Sequence, residues 1–213
     1  MKKILLILLL SPSICLSQNN DSVESWVKLY GETAKAYSMA AKRAKSYEDG
    51  INLYSKAVEL DTAYAEAWHS RAKLKYGLED KMGAFEDYSK VIKLGEWYYG
   101  YLDGTISDNQ LGKSLGFTFR YHVTDSYIRR AEIKLSLDDL NGACEDYADY
   151  FRLGGNERIS DIDLESYCKK NALEKVKEFK GYLDLEIITK EYYDKKKNRL
   201  TPLILTEDLY NLD

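Results

Sequence analysis

Few side chains in this 213-residue sequence could carry out catalysis. Residues 112–116 (Gly-Lys-Ser-Leu-Gly) fit the G-x-S-x-G pattern, which places a hydrolase nucleophile on a strand-turn-helix elbow. Ser114 would need a histidine base within reach, and the chain has only His69 and His122. The residues that follow Ser114 alternate like a strand, where the elbow requires a helix. A serine hydrolase using Ser114 is therefore the third-ranked function, and no enzyme is expected.

Metal and cofactor sites are not expected either. His69 and His122 lie 53 positions apart and Cys144 and Cys168 lie 24 apart, which is not the spacing of metal ligands. Residues 103–109 carry oxygen ligands but break the calcium-loop pattern, and no glycine-rich phosphate loop occurs. The 31 Lys and Arg against 35 Asp and Glu give a net charge of −4, which argues against a nucleic-acid partner.

The first residues resemble a secretory signal peptide. Lys2 and Lys3 precede an apolar run over residues 4–10, and small residues follow. We expect residues 1–17 to be removed and the protein to be periplasmic or extracellular. The apolar run is far shorter than the roughly 20 residues that a membrane-spanning helix needs, so the mature chain should have no transmembrane segment. Lipidation of Cys15 is the disfavoured alternative, because Ile14 stands where a small residue is required.

Three copies of an internal repeat occupy the middle of the chain. Pro12 and Pro202 lie near the ends, so residues 18–201 contain nothing that forbids a helix. Residues 50–60 return 34 positions later, and residues 71–95 return 59 positions later. The larger offset indicates an insertion between the second and third copies.

Each copy has the pattern of a helical hairpin. In the second copy, Trp68, Ala72, Ala84 and Tyr88 fall at helical spacing on the two sides of a polar break. The small alanines let two helices approach closely, while the tryptophan and the tyrosine fill the space beside them. The sequence therefore predicts an all-α fold of stacked helical hairpins.

The second copy also resembles the tetratricopeptide repeat (TPR) family. The match includes residues 67–72 (Ala-Trp-His-Ser-Arg-Ala) and 83–90 (Gly-Ala-Phe-Glu-Asp-Tyr-Ser-Lys). The resemblance implies about three TPR-type repeats that form a short right-handed superhelix. Their predicted bounds are residues 31–64, 65–98 and 124–157, inside a domain of residues 18–171.

Three further segments complete the repeat domain. Residues 22–45 are compatible with one extended first helix. The insertion, residues 95–123, is rich in Gly and aromatic residues, and residues 117–121 alternate like a strand. A β-hairpin or an aromatic-anchored loop is expected there, either covering the stack or binding a partner. A helix over residues 159–170 would seal the end of the stack.

The last part of the chain, residues 172–213, is predicted to be a helical hairpin with a tail. Residues 173–200 resemble the short C-terminal module known as SHOCT, which implies a role in association or attachment. Thr189 is expected to cap the second helix, with Tyr192 and Tyr193 starting its buried face.

The predicted binding site is the exposed stripe of the first helix in each hairpin. Stacked hairpins turn this stripe toward a concave groove. Several cations fall there, which would favour an acidic or C-terminal-carboxylate peptide, and an ordinary solvated face is the alternative. The carboxylate clamp of TPR chaperone cofactors is matched only at Lys35 and Arg129, which argues against that ligand class. The predicted partner-binding residues are Lys35, Met39, Lys42, His69, Lys73, Tyr76, Arg129 and Glu132.

The two cysteines of the mature chain have a predicted structural role. Cys144 falls on the second helix of the third repeat, on the side that should face the next element, and Cys168 falls in the helix expected to pack there. A disulfide is favoured over two buried free thiols in an exported protein.

The sequence thus predicts an exported, non-catalytic scaffold that binds a protein or peptide in its groove, without a cofactor. The alternative is an envelope assembly component that forms a homo-oligomer through its C-terminal hairpin.

Overall fold

The computed structural model describes residues 23–99, 111–156, 159 and 162–204, and these residues form helices with no strand among them. The predicted all-α fold is confirmed. The predicted signal peptide lies outside the described residues. The helices are, in chain order, α1 (Val23–Tyr30), α2 (Ala34–Ala41), α3 (Tyr47–Leu60), α4 (Ala65–Gly77), α5 (Lys81–Tyr99), α6 (Leu111–Ser136), α7 (Leu140–Arg152), α8 (Ile162–Asp184) and α9 (Lys190–Leu200), with a 3-10 turn at Thr201–Leu203.

The single helix expected over residues 22–45 is wrong. α1 ends at Tyr30 because Gly31 has a left-handed backbone, with φ at 71°. Thr33 then begins α2 as its N-cap, since its hydroxyl accepts a hydrogen bond from the Ala36 amide at 3.3 Å. A short α1 therefore precedes the first hairpin.

Consecutive helices pack against each other from α2 to α7, and α4 also contacts α6. Alanines lie at the closest approaches: Ala72, Ala84, Ala131 and Ala143 are fully buried. The tyrosines that recur in the sequence are buried as well, at positions 54, 88 and 147. Small and aromatic side chains thus form the core of the hairpins, as their spacing predicts.

A buried ion network lies inside the α4–α5 hairpin. The Asp87 carboxylate accepts two hydrogen bonds from Arg71, each of 2.7 Å, and Lys75 Nζ lies 3.0 Å from it. Arg71 also donates to the Ser55 hydroxyl of α3 at 2.9 Å. The arginine therefore joins its own hairpin to the preceding one.

The α6–α7 hairpin contains the same network, 59 positions further along. Asp146 accepts hydrogen bonds of 2.8 and 2.6 Å from Arg130, and Lys134 Nζ lies 2.9 Å from its carboxylate. Arg130 donates to Ser89 of α5 at 3.2 Å. The Arg, Lys and Asp contacts therefore recur at an offset of 59, whereas the serine contact recurs at an offset of 34, because the insertion lies between Ser89 and Arg130.

The turns of these two hairpins also agree. Asp80 accepts a hydrogen bond of 2.9 Å from the Gly83 amide, and Asp139 accepts one of 2.9 Å from the Gly142 amide. A Cβ at either glycine would clash with the capping carboxylate. Glycine therefore lets each carboxylate keep its capping position.

The β-hairpin or loop expected in the insertion is wrong where the structure describes it. Residues 95–99 continue α5, and residues 111–123 are the first turns of α6. The aromatic alternation at residues 117–121 is too short to separate a strand from a helix. In α6, Phe119 packs against the core and Tyr121 is exposed. Residues 100–110 lie outside the described part of the chain.

α8 is one continuous helix that joins two segments predicted to be separate. It contains most of the expected sealing helix and the first arm of the C-terminal hairpin, so the boundary expected at residue 172 falls inside it. Cys168 of α8 is joined by a disulfide to Cys144 of α7, with the Cα atoms 5.1 Å apart. The predicted bridge is present and ties α8 to the third hairpin.

α9 folds back against α8 and α7. Thr189 caps it by accepting a hydrogen bond of 3.2 Å from the Tyr192 amide, as predicted. Tyr193 is buried, but Tyr192 is 45% exposed, so only one of these tyrosines starts the buried face. Arg199 anchors the helix through hydrogen bonds of 3.0 and 3.1 Å to Asp149 of α7. No helix in the described ranges has the length and apolar character needed to cross a membrane.

Candidate functional site

The predicted binding residues lie on or beside α2, α4 and α6, and together they are termed the first-helix face. Lys35, Lys42 and Lys73 are exposed. His69 is only 2% exposed, so its predicted exposure in the groove is wrong. The half-buried members are Met39, Tyr76, Arg129 and Glu132.

His69 is buried because α6 begins well before the repeat start expected at residue 124. The added turns of α6 place Tyr121 and His122 against α4. Their ring centroids lie 6.0 and 4.5 Å from that of His69. On the α5 side, the Tyr88 ring lies 5.9 Å away. The imidazole of His69 is therefore enclosed between three helices.

Inside this enclosure, His69 bonds to a carboxylate of α6. Its Nε2 lies 2.7 Å from Asp125 Oδ2, and the two side chains are only 3% and 14% exposed. Burial raises the pKa of Asp125, but the hydrogen bond and charge of His69 outweigh it, so the pKa lies below its ordinary value. Asp125 is therefore ionised at neutral pH, and His69 Nε2 carries a hydrogen that it donates to the carboxylate.

His122 meets the other side of the same imidazole. The Nδ1 atoms of His69 and His122 are 3.1 Å apart. Burial, followed by the charge of His69, lowers the pKa of His122 to about 4. His122 Nε2 is buried and has no hydrogen-bond partner in the described part of the chain. His69, His122 and Asp125 thus form a continuous hydrogen-bonded chain, here termed the polar seam.

A second charged contact crosses between α2 and α4. Lys42, the C-cap residue of α2, forms an ion pair with Glu66, which also accepts a hydrogen bond of 3.2 Å from the Tyr64 hydroxyl. Burial raises the pKa of Glu66, but the bond and charge of Lys42 outweigh it and leave the pKa below its ordinary value. Glu66 precedes Asp125 by 59 positions. Corresponding acids therefore join each first helix to the one before it.

These ion pairs reduce the positive charge predicted for the groove. Arg129 Nη1 lies 3.0 Å from Glu132 and its Nε lies 3.7 Å from Asp125, while Lys42 is paired with Glu66. Cations and acids therefore alternate along the first-helix face. Two of its cations, Lys35 of α2 and Lys73 of α4, are exposed.

The predicted binding residues include His69 but neither His122 nor Asp125, the other two members of the polar seam. His122 and Asp125 lie three positions apart, the spacing that brings two side chains to one face of a helix. That spacing predicts their proximity once residues 121–125 are known to be helical. The aromatic alternation that precedes them favoured a strand, so the sequence did not predict that these residues are helical.

The polar seam can hold and transfer a proton, because its members are hydrogen bonded in series. Ser114 lies within the helical span of α6, so its backbone has no strand-to-helix turn of the kind that the elbow needs. No group of three or more His, Cys, Asp or Glu side chains within the described ranges could hold a metal ion.

The fold and the polar seam define an all-α protein built from helical hairpins with a titratable contact between two of them. Comparison with models of known protein families gave no match, and comparison with curated proteins gave none either.

Proposed function

We propose that the protein is an exported, non-catalytic TPR scaffold that binds another protein or peptide along the first-helix face. The observation that carries the proposal is the ion network repeated in the α4–α5 and α6–α7 hairpins at the sequence offset of 59. Stacked hairpins that share one internal network bring their first helices to the same side of the stack, where one partner can contact them together.

The chemistry of the first-helix face supports a partner of mixed polarity. Ion pairs join Lys42 to Glu66 and Arg129 to Glu132, while Lys35 of α2 and Lys73 of α4 are exposed. Tyr76 and Met39 add half-buried apolar surface. An extended peptide with acidic side chains spaced to meet the two lysines would be complementary to this pattern.

Export to the periplasm or the extracellular space is part of the same proposal. The Cys144–Cys168 disulfide supports it, because such bridges persist in oxidising compartments. Two measurements on protein from its native host test the location: the N-terminal residue of the mature chain, expected at position 18, and the intact mass before and after reduction. An N-terminus at Met1 together with free thiols would contradict export.

A charge-reversal pair tests the binding face. Lys35→Glu with Lys73→Glu is expected to abolish capture of partners by the mature protein, because both cations are exposed on the first helices. Lys56→Glu with Lys93→Glu makes the same charge change on α3 and α5 and is the matched control. Hydrogen exchange of the captured complex should show protection in α2, α4 and α6. Equal capture by both double variants would remove the first-helix face as the site.

A second candidate function is self-association through the C-terminal hairpin. Large apolar side chains are exposed where α8 turns into α9: Leu185 is 71% and Ile187 64% exposed, and Tyr182 and Tyr192 lie beside them. Both charge signs occur near this end: Asp184 and Glu186 flank Leu185, and Lys190 precedes Glu191. Such a mixed rim is able to pair with a copy of itself about a two-fold axis.

Point variants test this alternative better than truncation does, because α8 and α9 are tied to α7 by the disulfide and by Arg199. Leu185→Asp with Ile187→Asp should shift a sedimenting oligomer to monomer. The matched control is Leu60→Asp with Leu137→Asp, since these leucines are also about half exposed. A monomer in the unaltered protein, or an oligomer that survives the first pair of changes, would exclude the hairpin end as the contact.

A further inference from the structure

The two histidines of the chain meet across a helix–helix contact. His69 belongs to α4 and His122 to α6, and their Nδ1 atoms face each other at 3.1 Å. This distance has room for one hydrogen between the two nitrogens. His69 Nε2 is already committed to Asp125 at 2.7 Å. The protonation of both rings is therefore coupled through a single shared position.

We infer that the polar seam is an acid-sensitive contact: it accepts one additional proton, and a second additional proton separates α4 from α6. The separation follows from the geometry of the seam alone. Its consequence for partner binding, a change in the first-helix face at low pH, rests on the proposed function.

The proton positions can be counted. In the neutral pair, one hydrogen lies between His69 and Asp125 and one lies between the two Nδ1 atoms. A first additional proton goes to His122 Nε2, which is buried and has no partner among the described residues, and the hydrogen between the two Nδ1 atoms then belongs to His69. The positive charge therefore lies on the ring that is bonded to Asp125, and a second proton would charge His122. A second additional proton has only the shared position left. It would make the two Nδ1–H groups point at each other. Both rings would then be positively charged, with their centroids 4.5 Å apart.

Charged and titratable groups on three helices and the end of a fourth face the pair. From α4 come Glu66 and Lys73, from α5 Tyr88, from α6 Tyr121, Asp125 and Arg129, and from the end of α2 Lys42. Glu66 and Asp125 favour the first proton. Lys42 opposes the second, and the pKa of His122, lowered to about 4 by burial and by the charge of His69, agrees with this.

Hydrogen exchange on the mature chain without a partner tests the inference. Between pH 7 and pH 4, after correction for the intrinsic exchange rate, amides of α4 and α6 should lose at least about tenfold protection, the size of effect expected when a contact between packed elements opens. Amides around the Cys144–Cys168 disulfide should change much less. Equal loss in both regions would overturn the inference, because it would indicate global acid unfolding.

His122→Asn is the matched variant, since its amide replaces the Nδ1–H donor but does not titrate. It should keep the neutral-pH protection of α4 and α6 and lose the acid response. Glu66→Gln controls for carboxylate titration and should retain the response. An acid response that persists in His122→Asn and disappears in Glu66→Gln would assign the effect to the carboxylate and overturn the inference.

Imidazole nitrogen spectra of the unaltered protein provide a second measurement that needs no variant. With only two histidines, both rings are resolved, and His122 should show a protonated Nδ1 at neutral pH. Two independent titrations near the ordinary histidine pKa would overturn the inference. Acid opening without any change in partner capture would leave the inference standing and count against the first-helix face as the binding site.

Discussion

The α4–α5 and α6–α7 hairpins are alike inside and different outside. Both bury an aspartate between an arginine and a lysine, at Asp87 and at Asp146, and both link that arginine to a serine of the preceding hairpin. Their outer contacts differ: α4 meets α6 through the polar seam, whereas α7 meets α8 through a disulfide. The two hairpins therefore share an internal network, whereas the contacts outside them respond to different conditions: the polar seam to pH and the disulfide to reduction.

The α2–α3 hairpin shows that the network is not a requirement of the hairpin itself. At the positions equivalent to Arg71 and Asp87, 34 residues earlier, stand Tyr37 and Leu53. These two side chains pack in the apolar cluster of the first hairpin. The buried charges of the later hairpins are thus one of two ways to fill the same space, and their removal should be costly only where they are present.

The largest effect is expected from removing either buried carboxylate. Asp87→Ala and Asp146→Ala should each lower the free energy of unfolding by about 3–5 kcal/mol, because each leaves an arginine and a lysine largely buried without a counter-charge. Denaturant unfolding measures this. Glu86→Ala, an exposed neighbour in α5, is the control and should change it by less than about 0.5 kcal/mol. If the free energies of unfolding of the two aspartate variants differed by several kcal/mol, the two ion networks would not be energetically equivalent.

Loss of the disulfide should come next and should affect only the third hairpin and α8. Cys144→Ser with Cys168→Ser opens a loop with a sequence separation of 24 residues, which the chain-entropy description values at about 3 kcal/mol. Denaturant unfolding gives the total loss, and hydrogen exchange gives its location. Reduction of the unaltered protein should reproduce the result. If α4 and α5 lose as much protection as α7 and α8, the two outer contacts are not independent.

The polar seam should make stability depend on pH in one direction. The pKa of His122 is about 4 in the folded protein and about 6.5 in the unfolded chain. Between these values the unfolded chain binds more protons, so the stabilisation present above pH 6.5 is lost as the pH falls toward 4. Since the ring is partly exposed, we expect a loss of about 2 kcal/mol rather than the full value of the shift.

Subtracting the pH profile of His122→Asn isolates this contribution. Asp125 and Glu66, whose pKa values are lowered in the folded protein, also lose stabilisation on acidification, at lower pH. The unaltered protein and His122→Asn both retain these acids, so their contribution cancels in the subtraction. Identical unfolding profiles between pH 7 and pH 4 would remove His122 from the acid response.

The sequence predicted the all-α fold and the buried positions of the hairpins because these depend on local spacing. Buried Ala72, Ala84, Tyr88 and Tyr147 occupy the positions that the periodicity assigns to them. The break at Gly31 was also readable, since a glycine followed by a threonine cap ends and restarts a helix.

The candidate site was less predictable because it depends on how far α6 extends. The insertion has no repeat partner, so no spacing fixed the start of α6, and the turns that carry His122 looked like a strand. The burial of His69 follows from those turns. The ion pairs of Lys42 and Arg129 likewise depend on neighbouring helices, which periodicity within one helix does not specify.

One pair of equivalent glycines has different roles at the ends of the α4–α5 and α6–α7 hairpins. Gly95 and Gly154 are equivalent at the 59-residue offset. Gly95 lies within α5, and a Cβ there would come within 2.7 Å of Val123 of α6. Gly154 follows the end of α7 in a left-handed conformation, with φ at 86°. The second hairpin thus uses glycine for close packing, and the third uses it to end a helix.

The smallest predicted effect tests this last difference. Gly154→Ala should lower the free energy of unfolding by about 1 kcal/mol, because a Cβ is unfavourable in the left-handed region. Gly154→Asn should cost less, since asparagine enters that region more readily. At Gly95 the order should reverse: Asn should cost more than Ala, because it is larger and must fit against Val123. Denaturant midpoints of the four variants measure both orders. The same order of stability at both positions would mean that the two glycines have the same structural role. The left-handed backbone at Gly154 would then not be the reason for glycine at the end of α7.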